Sequence, residues 1–141
     1  MKTLKSILLG AALLVATGVA NAIPNTANTL SKNDVVSVLT NAIVHGNLQN
    51  LDQALAKDVE YTIYRGDKTF KLNKQALVDS FKASENVEQN CQYTTSVVSD
   101  IDKTMVLRLQ MKYEGYVRTS TVTIKQQGED WKITKIETQN S

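Results

Sequence analysis

Four side chains in the C-terminal half of this 141-residue sequence are the only set that could perform acid–base chemistry together. They are Tyr113, Tyr116, Arg118 and Glu137. Proton transfer needs a positioned acid and a base, but this set holds one carboxylate and no histidine. The chain also has no metal-ligand spacing, no phosphate-binding glycine loop and no nucleophile beside a base. We therefore expect a binding site with no catalytic residue, metal or cofactor; an enzyme built on these four is the alternative.

Methionine and tyrosine side chains predicted to face the interior suit a small apolar or aromatic ligand. A guanidinium among them could hold a carboxylate or carbonyl of that ligand. The candidate ligand-binding residues are Tyr61, Tyr93, Met111, Tyr113, Tyr116, Arg118 and Trp131. Two other interpretations stay open: these side chains only fill the core, and Arg118 is a solvated strand end or a partner of Glu137.

Residues 104–113 predict the strand that positions this set, because apolar and polar side chains alternate along it with a period of two. The inward residues are Met105, Leu107, Leu109, Met111 and Tyr113. If residues 114–115 form a two-residue turn, Tyr113 opposes Tyr116, and Arg118 lies on the inner face. A three-residue loop would turn Arg118 outward instead.

The neighbouring strands follow from the same argument. A turn at residues 128–129 places Lys135 and Glu137 on the inner face. The predicted pairs are Ile124–Ile133, Gln126–Trp131, Val122–Lys135 and Ser120–Glu137. On the strand before residue 104, the more apolar side is expected to face inward, and its members are Cys91, Tyr93, Thr95 and Val97.

Three helices are predicted ahead of this four-strand meander. Ser31 and Asp34 form an acidic capping box for the first helix, and Gly46 supplies its left-handed end. Asn73 caps the third helix. The other predicted segments are a second helix at 48–56, a hairpin at 59–64 and 69–72, and meander strands at 90–98, 104–113, 116–125 and 131–139.

The first 22 residues have the features of a secretory signal peptide. Lys2 and Lys5 precede a short apolar run that ends in a small-x-small site at residues 20–22. The run is too short for a membrane span. We expect cleavage before Ile23, a tether over residues 23–30, a folded domain over residues 31–141, and a periplasmic or secreted location.

Removal of this leader takes away two of the 16 basic residues and none of the 14 acidic ones, which leaves 14 of each. A net charge near zero removes the electrostatic reason to expect nucleic acid or an anionic membrane surface as a partner. The lone Cys91 cannot form an intrachain disulfide, so the fold must depend on its core.

The order of elements and the phrase Gly128-Glu-Asp-Trp-Lys-Ile133 resemble the nuclear transport factor 2-like superfamily. The leader, Glu88-Gln-Asn-Cys91 and Met111-Lys-Tyr-Glu-Gly-Tyr116 are most similar to its small exported lumazine-binding-type proteins. The resemblance implies an α+β cone, with three N-terminal helices packed on a curved mixed or antiparallel sheet of about six strands. It also implies a pocket between the helices and the concave face.

Enzymes of this superfamily, such as ketosteroid isomerases and SnoaL-like polyketide cyclases, are expected to use pocket carboxylates with Tyr or His. The resemblance places a catalytic Asp near the end of the first strand, but this chain has Thr62-Ile-Tyr-Arg-Gly66 there. The tyrosine expected on the first helix is also missing from residues 30–45. These departures favour a binding protein over an enzyme.

The outer face of the meander predicts a homodimer. Its strand at residues 116–125 presents Val117, Thr119, Thr121 and Thr123 where a solvated strand would usually carry more charge. A β-rich surface of this kind suits an interaction module, which is compatible with ligand binding on the opposite face.

Overall fold

The computed structural model describes residues 29–141. Its helices are α1 (Lys32–His45), α2 (Leu51–Ala54) and α3 (Lys74–Lys82). Its strands are β1 (Leu55–Arg65), β2 (Lys68–Leu72), β3 (Gln92–Ile101), β4 (Thr104–Tyr113), β5 (Tyr116–Gln127) and β6 (Asp130–Asn140). The predicted leader and most of the predicted tether lie outside the described residues. No helix within residues 29–141 is long and apolar enough to cross a membrane.

Helix α1 begins and ends where the sequence predicts. The Ser31 hydroxyl accepts a hydrogen bond from the Asp34 backbone N–H, and the Asp34 carboxylate accepts one from the Ser31 N–H. That backbone bond lowers the pKa of the Asp34 carboxyl below its ordinary value. At the other end Gly46 adopts φ 68°, the left-handed conformation that terminates a helix.

The predicted second helix is wrong in extent. Only one turn, α2, forms, and Leu55 and Ala56 begin strand β1 instead. Four residues gain little from helix formation, whereas Leu55 as a strand residue pairs with Ile133 and is 1% exposed. The helical layer in the described residues is therefore two helices and one turn, and α3 follows the β1–β2 hairpin rather than standing at the N-terminus.

The six strands form one mixed sheet in the order β2-β1-β6-β5-β4-β3. Strands β1 and β6 are parallel, and every other neighbouring pair is antiparallel. Helix α1 packs on β5 and β6, and α3 packs on β1 and β2. The predicted six-strand mixed sheet with helices on one face is thus confirmed.

The β4–β5 hairpin has the predicted two-residue turn at residues 114–115. Tyr113 opposes Tyr116, and Met111 opposes Arg118. Gly115 in the turn has φ 93°, which favours glycine. Arg118 therefore starts from the inner face of the sheet.

The β5–β6 pairing departs from the prediction after two pairs. Ile124 opposes Ile133 as expected, but a bulge at Thr134 shifts the register, so that Ile136 lies inside. One extra residue reverses the side-chain alternation of the rest of the strand. Lys135 and Glu137, predicted to face inward, consequently lie on the outer face. The observed pairs are Val122–Ile136, Ser120–Thr138, Thr123–Lys135 and Thr121–Glu137.

Strand β3 has the predicted parity but lies at the edge of the sheet. Tyr93, Thr95 and Val97 oppose the inward residues of β4, and the register shifts after Val97. Helix α1 contacts this strand at Tyr93 and Asp100, while Val97 between them is 58% exposed. Cys91, just before the strand, is half-buried against a small core cluster whose members are Val44, Leu109 and Met111.

Candidate functional site

A cavity of about 140 Å³ lies between α1, α3, residues 83–91 and the inner face of the sheet. Its apolar walls are Ala42, Ile43, Phe81 and Val87. Its polar walls are Tyr61, Ser80, Ser84, Gln89, Arg118 and Ser120. Apolar walls beside convergent polar groups are typical of a small-molecule site, although polar residues outnumber apolar ones in this cavity.

A second cavity of about 170 Å³ adjoins the first at the C-terminal ends of β1 and β6. Tyr61, Ser80 and Arg118 line both. The remaining walls of the second cavity are Ile63, Tyr64, Arg65, Thr138, Gln139 and Asn140. Because three side chains are shared, one ligand could occupy both spaces.

Two buried hydroxyl groups, one lining each cavity, lie next to each other. Ser120 faces the first cavity and Thr138 the second, and their oxygens are 2.8 Å apart. Each hydroxyl carries one donor and two acceptor lone pairs, so a single bond between them uses one of their two O–H donors. The other donor has no partner within residues 29–141 and is available to a ligand.

Arg118 is held in place by an amide and an aromatic ring rather than by a carboxylate. Its Nε donates to the Asn140 Oδ1 at 3.2 Å, and its guanidinium carbon lies 5.7 Å from the centre of the Tyr113 ring. No Asp or Glu among residues 29–141 forms an ion pair with it. A half-buried cation of this kind keeps its terminal nitrogens free for a partner that the fold itself does not supply.

Two tyrosines form a stacked support beside this arginine. The rings of Tyr113 and Tyr116 are 4.8 Å apart and 10° from parallel. The Tyr113 hydroxyl donates to the Gln89 Oε1 at 2.6 Å, which ties the stack to the loop at residues 83–91. Burial raises the pKa of the Tyr113 phenol, so this group stays protonated and remains a hydrogen-bond donor.

The loop at residues 83–91 is fixed to the end of α1. Asn86 N–H donates to the Gly46 carbonyl at 2.9 Å, and Gln89 N–H donates to the Val44 carbonyl at 2.8 Å. The His45 Nδ1 lies 2.6 Å from the Glu88 Oε2. Ser84, Val87 and Gln89 of this loop form one wall of the first cavity.

The structure gathers some of the predicted ligand-binding residues and separates others. Tyr61 and Arg118 line both cavities, and the Tyr113–Tyr116 stack adjoins them. Met111 is 1% exposed in the small core cluster beneath α1. Tyr93 meets the His45 ring edge-on at 6.0 Å, and Trp131 lies at the opposite end of β5 from Arg118, with the Lys32 ammonium 5.2 Å from its ring.

The predicted acid–base set is not brought together. Glu137 lies on the outer face, where its carboxylate accepts a hydrogen bond from Tyr64 at 3.0 Å, so it is not the partner of Arg118. That bond raises the pKa of the Tyr64 phenol. No Asp, Glu or His among residues 29–141 lines either cavity. Within residues 29–141 no three potential metal ligands cluster.

Sequence reasoning missed the cavity residues contributed by α3, the loop and the end of β1. Ser80 and Phe81 come from α3, and Arg65 comes from the end of β1. The two isoleucines of β6 give one usable signal: Ile133 and Ile136 are three positions apart, which a regular strand with one buried face does not allow. That spacing indicates the bulge, and with it Thr138 on the inner face.

No family model matches this chain, and no curated protein matches it. Several solved structures do. One is an NTF2-like protein of unknown function from Silicibacter pomeroyi, 13% identical, with TM-score 0.63 over 77% of this chain and 92% of the other. A second, from Methylobacillus flagellatus, is 16% identical with TM-score 0.60 over 79% and 95%. A third, from Cytophaga hutchinsonii, is 14% identical with TM-score 0.60 over 79% and 100%.

These similarities concern the fold alone, because identities of 13–16% do not carry function from one chain to another. All three solved structures are described as NTF2-like proteins. The chain has the NTF2-like fold, as its sequence resemblance implied. The lumazine-binding detail of that resemblance stays a prediction.

Proposed function

We propose that this chain with the NTF2-like fold is an exported, non-catalytic domain that binds a small, partly apolar or aromatic molecule in the two adjoining cavities. One observation carries the proposal: apolar walls from α1 and α3 enclose a half-buried arginine that no described carboxylate neutralises. Export rests on the predicted leader alone.

The cavity sizes limit the ligand. An apolar cavity of about 150 Å³ in another protein holds one benzene. The two cavities here measure about 140 and 170 Å³, so each suits roughly one ring. A ligand with one or two rings and a polar end fits this space.

A binding role is favoured over an isomerase or cyclase role by what lines the site. General acid–base catalysis needs a carboxylate, histidine or equivalent base within reach of the substrate. The titratable side chains on the two cavity walls are tyrosines and arginines, and burial keeps the nearby Tyr113 phenol protonated. Arginine is always charged and gives up no proton.

Binding of a neutral two-ring probe, 2-naphthalenemethanol, tests the proposal. Ser80 is exposed on α3 and lines both cavities, so Ser80→Phe should block them without disturbing the core. We expect calorimetry to show binding to the unaltered protein, at least tenfold weaker binding to Ser80→Phe, and no change for the control Lys82→Phe on the same helix. Equal binding by all three proteins would place the ligand elsewhere, and no binding to the unaltered protein would reject the proposal.

We also propose that the mature protein is a homodimer through the outer face of β4, β5 and β6. The support is compositional: β5 presents Val117, Thr119, Thr121 and Thr123 there, all half-buried within the single chain. This face also contains a shallow groove, which is lined by Thr119, Thr121 and the hydrogen-bonded Tyr64–Glu137 pair.

Lysine at both Thr119 and Thr121 should convert the dimer to a monomer, because like charges brought together across a two-fold axis repel. Sedimentation velocity measures the outcome. Ser37→Lys with Gln75→Lys adds the same charge at exposed positions on α1 and α3, which lie on the other side of the sheet, and this control should stay dimeric. An unaltered protein that sediments as a monomer would dismiss the proposed dimer.

A further inference from the structure

The charged side chains on the cavity walls all have one sign. Arg65 and Arg118 both line the second cavity, whereas no Asp, Glu or Lys in the described part of the chain lines either space. Neither arginine forms an ion pair with a carboxylate of residues 29–141. Two arginines without an ion-pair partner line this cavity of about 170 Å³ and make it a positive subsite, next to a first cavity that has both apolar and polar walls.

The hydrogen bonds of Arg118 leave most of its capacity unused. A guanidinium has five N–H donors, and the one on Nε is used by Asn140. The four on the terminal nitrogens have no partner within residues 29–141. The Tyr113 ring and the Asn140 amide fix the group, so a ligand would not have to immobilise a flexible side chain to use those donors.

Neutral donors stand around the same subsite. The Asn140 amide uses its oxygen for Arg118, which leaves its NH₂ group as a donor. One O–H of the Ser120–Thr138 pair is also available. Arg65 is less constrained, with its guanidinium carbon 5.7 Å from the exposed Phe70 ring.

We propose that the ligand is an aromatic or apolar carboxylate whose carboxylate lies in the second cavity on Arg118, with Arg65 as a weaker second cation, and whose ring lies in the first cavity. This assignment rests on the proposed function and specifies its ligand class. A planar guanidinium held at one nitrogen presents its terminal donors in the parallel geometry that a carboxylate accepts.

Matched probes test the assignment: 2-naphthoate, its neutral analogue 2-naphthalenemethanol, and 2-naphthyl phosphate. We expect calorimetry to show that 2-naphthoate binds the protein at least tenfold more tightly than the alcohol and also more tightly than the phosphate. Arg118→Met should weaken naphthoate binding roughly 10- to 150-fold, the range that one charge-assisted hydrogen bond spans, and should leave the alcohol unaffected. Arg65→Met should weaken naphthoate binding by a smaller factor than Arg118→Met does. Arg118→Lys keeps the charge without the paired donors and should fall between the unaltered protein and Arg118→Met.

Arg108→Met is the matched control, because Arg108 is an exposed arginine on the adjacent strand that opposes Thr121 on the outer face. It removes the same charge and should change no affinity. If Arg108→Met and Arg118→Met weaken naphthoate equally, the effect is general charge and the subsite is rejected. If the alcohol binds as tightly as naphthoate, the carboxylate assignment falls while the proposed function stands; tighter binding of the phosphate also rejects it. If no probe binds the unaltered protein, both fail.

Discussion

Gly46→Ala should lower the free energy of unfolding by about 3 kcal/mol or more, because it combines left-handed backbone strain with a backbone collision. Gly46 has φ +68°, and a Cβ there would lie 2.6 Å from the Val87 nitrogen, 2.7 Å from the Asn86 nitrogen and 2.9 Å from the Ser84 oxygen. Backbone atoms cannot rotate away as the end of a long side chain can. The loop at residues 83–91 must therefore move off α1. Urea denaturation monitored by circular dichroism measures the loss.

Gly66→Ala is the matched control. Gly66 has φ +62°, but a Cβ there meets nothing within 4 Å. Gly66→Ala should therefore lower the free energy of unfolding only by the left-handed backbone strain, about 1 kcal/mol. Equal losses for the two variants would show that the loop does not press on the helix end. Because Ser84, Val87 and Gln89 line the first cavity, Gly46→Ala should also weaken probe binding, whereas Gly66→Ala should not.

Met111→Ala should lower the free energy of unfolding by about 2–5 kcal/mol, the usual cost of truncating a fully buried methionine to alanine. The Met111 side chain is 1% exposed and packs with Val44 and Leu109 beneath the end of α1. Thermal and urea denaturation measure the loss.

Ile101→Ala serves as the control for Met111→Ala. Its side chain is 66% exposed at the end of β3, so its removal should change the free energy of unfolding by no more than about 0.5 kcal/mol. A Met111→Ala protein of nearly unchanged stability that has lost probe binding would contradict the core assignment. It would support the ligand contact that the sequence predicts for Met111.

The pairing of β4 with β5 and the inward position of Arg118 could be predicted because they depend on local rules. A two-residue turn at residues 114–115 fixes which side chains oppose each other, and the alternation of residues 104–113 fixes which face is inward. The caps at Ser31, Gly46 and Asn73 are equally local, since each acts within five residues of its own position.

Other features of the fold depend on competition between structures. Leu55 and Ala56 suit a helix by propensity, but the parallel pairing of β1 with β6 gives them a better buried position. The bulge at Thr134 puts Ile136 in the core and moves Glu137 outside, because burying isoleucine is favourable and burying an unpaired carboxylate is costly.

The walls of the cavities could not be predicted from the sequence because they come from segments far apart in the chain. Tyr61, Ser80, Val87 and Arg118 belong to four different elements or loops. Their meeting depends on how the loop at residues 83–91 lies against Gly46, a contact between backbones that no side-chain pattern reports.

Native mass spectrometry of the protein purified from the cells that make it tests the central claim most directly. The account predicts a folded protein that carries one small molecule per chain, released on denaturation, with a fragmentation pattern that shows an apolar or aromatic body. The Ser80→Phe protein from the same cells should carry none. Two results would contradict the claim that these cavities are a ligand site. One is a Ser80→Phe protein that carries the same molecule as the unaltered protein. The other is an unaltered protein that carries no small molecule and binds none when aromatic probes are added.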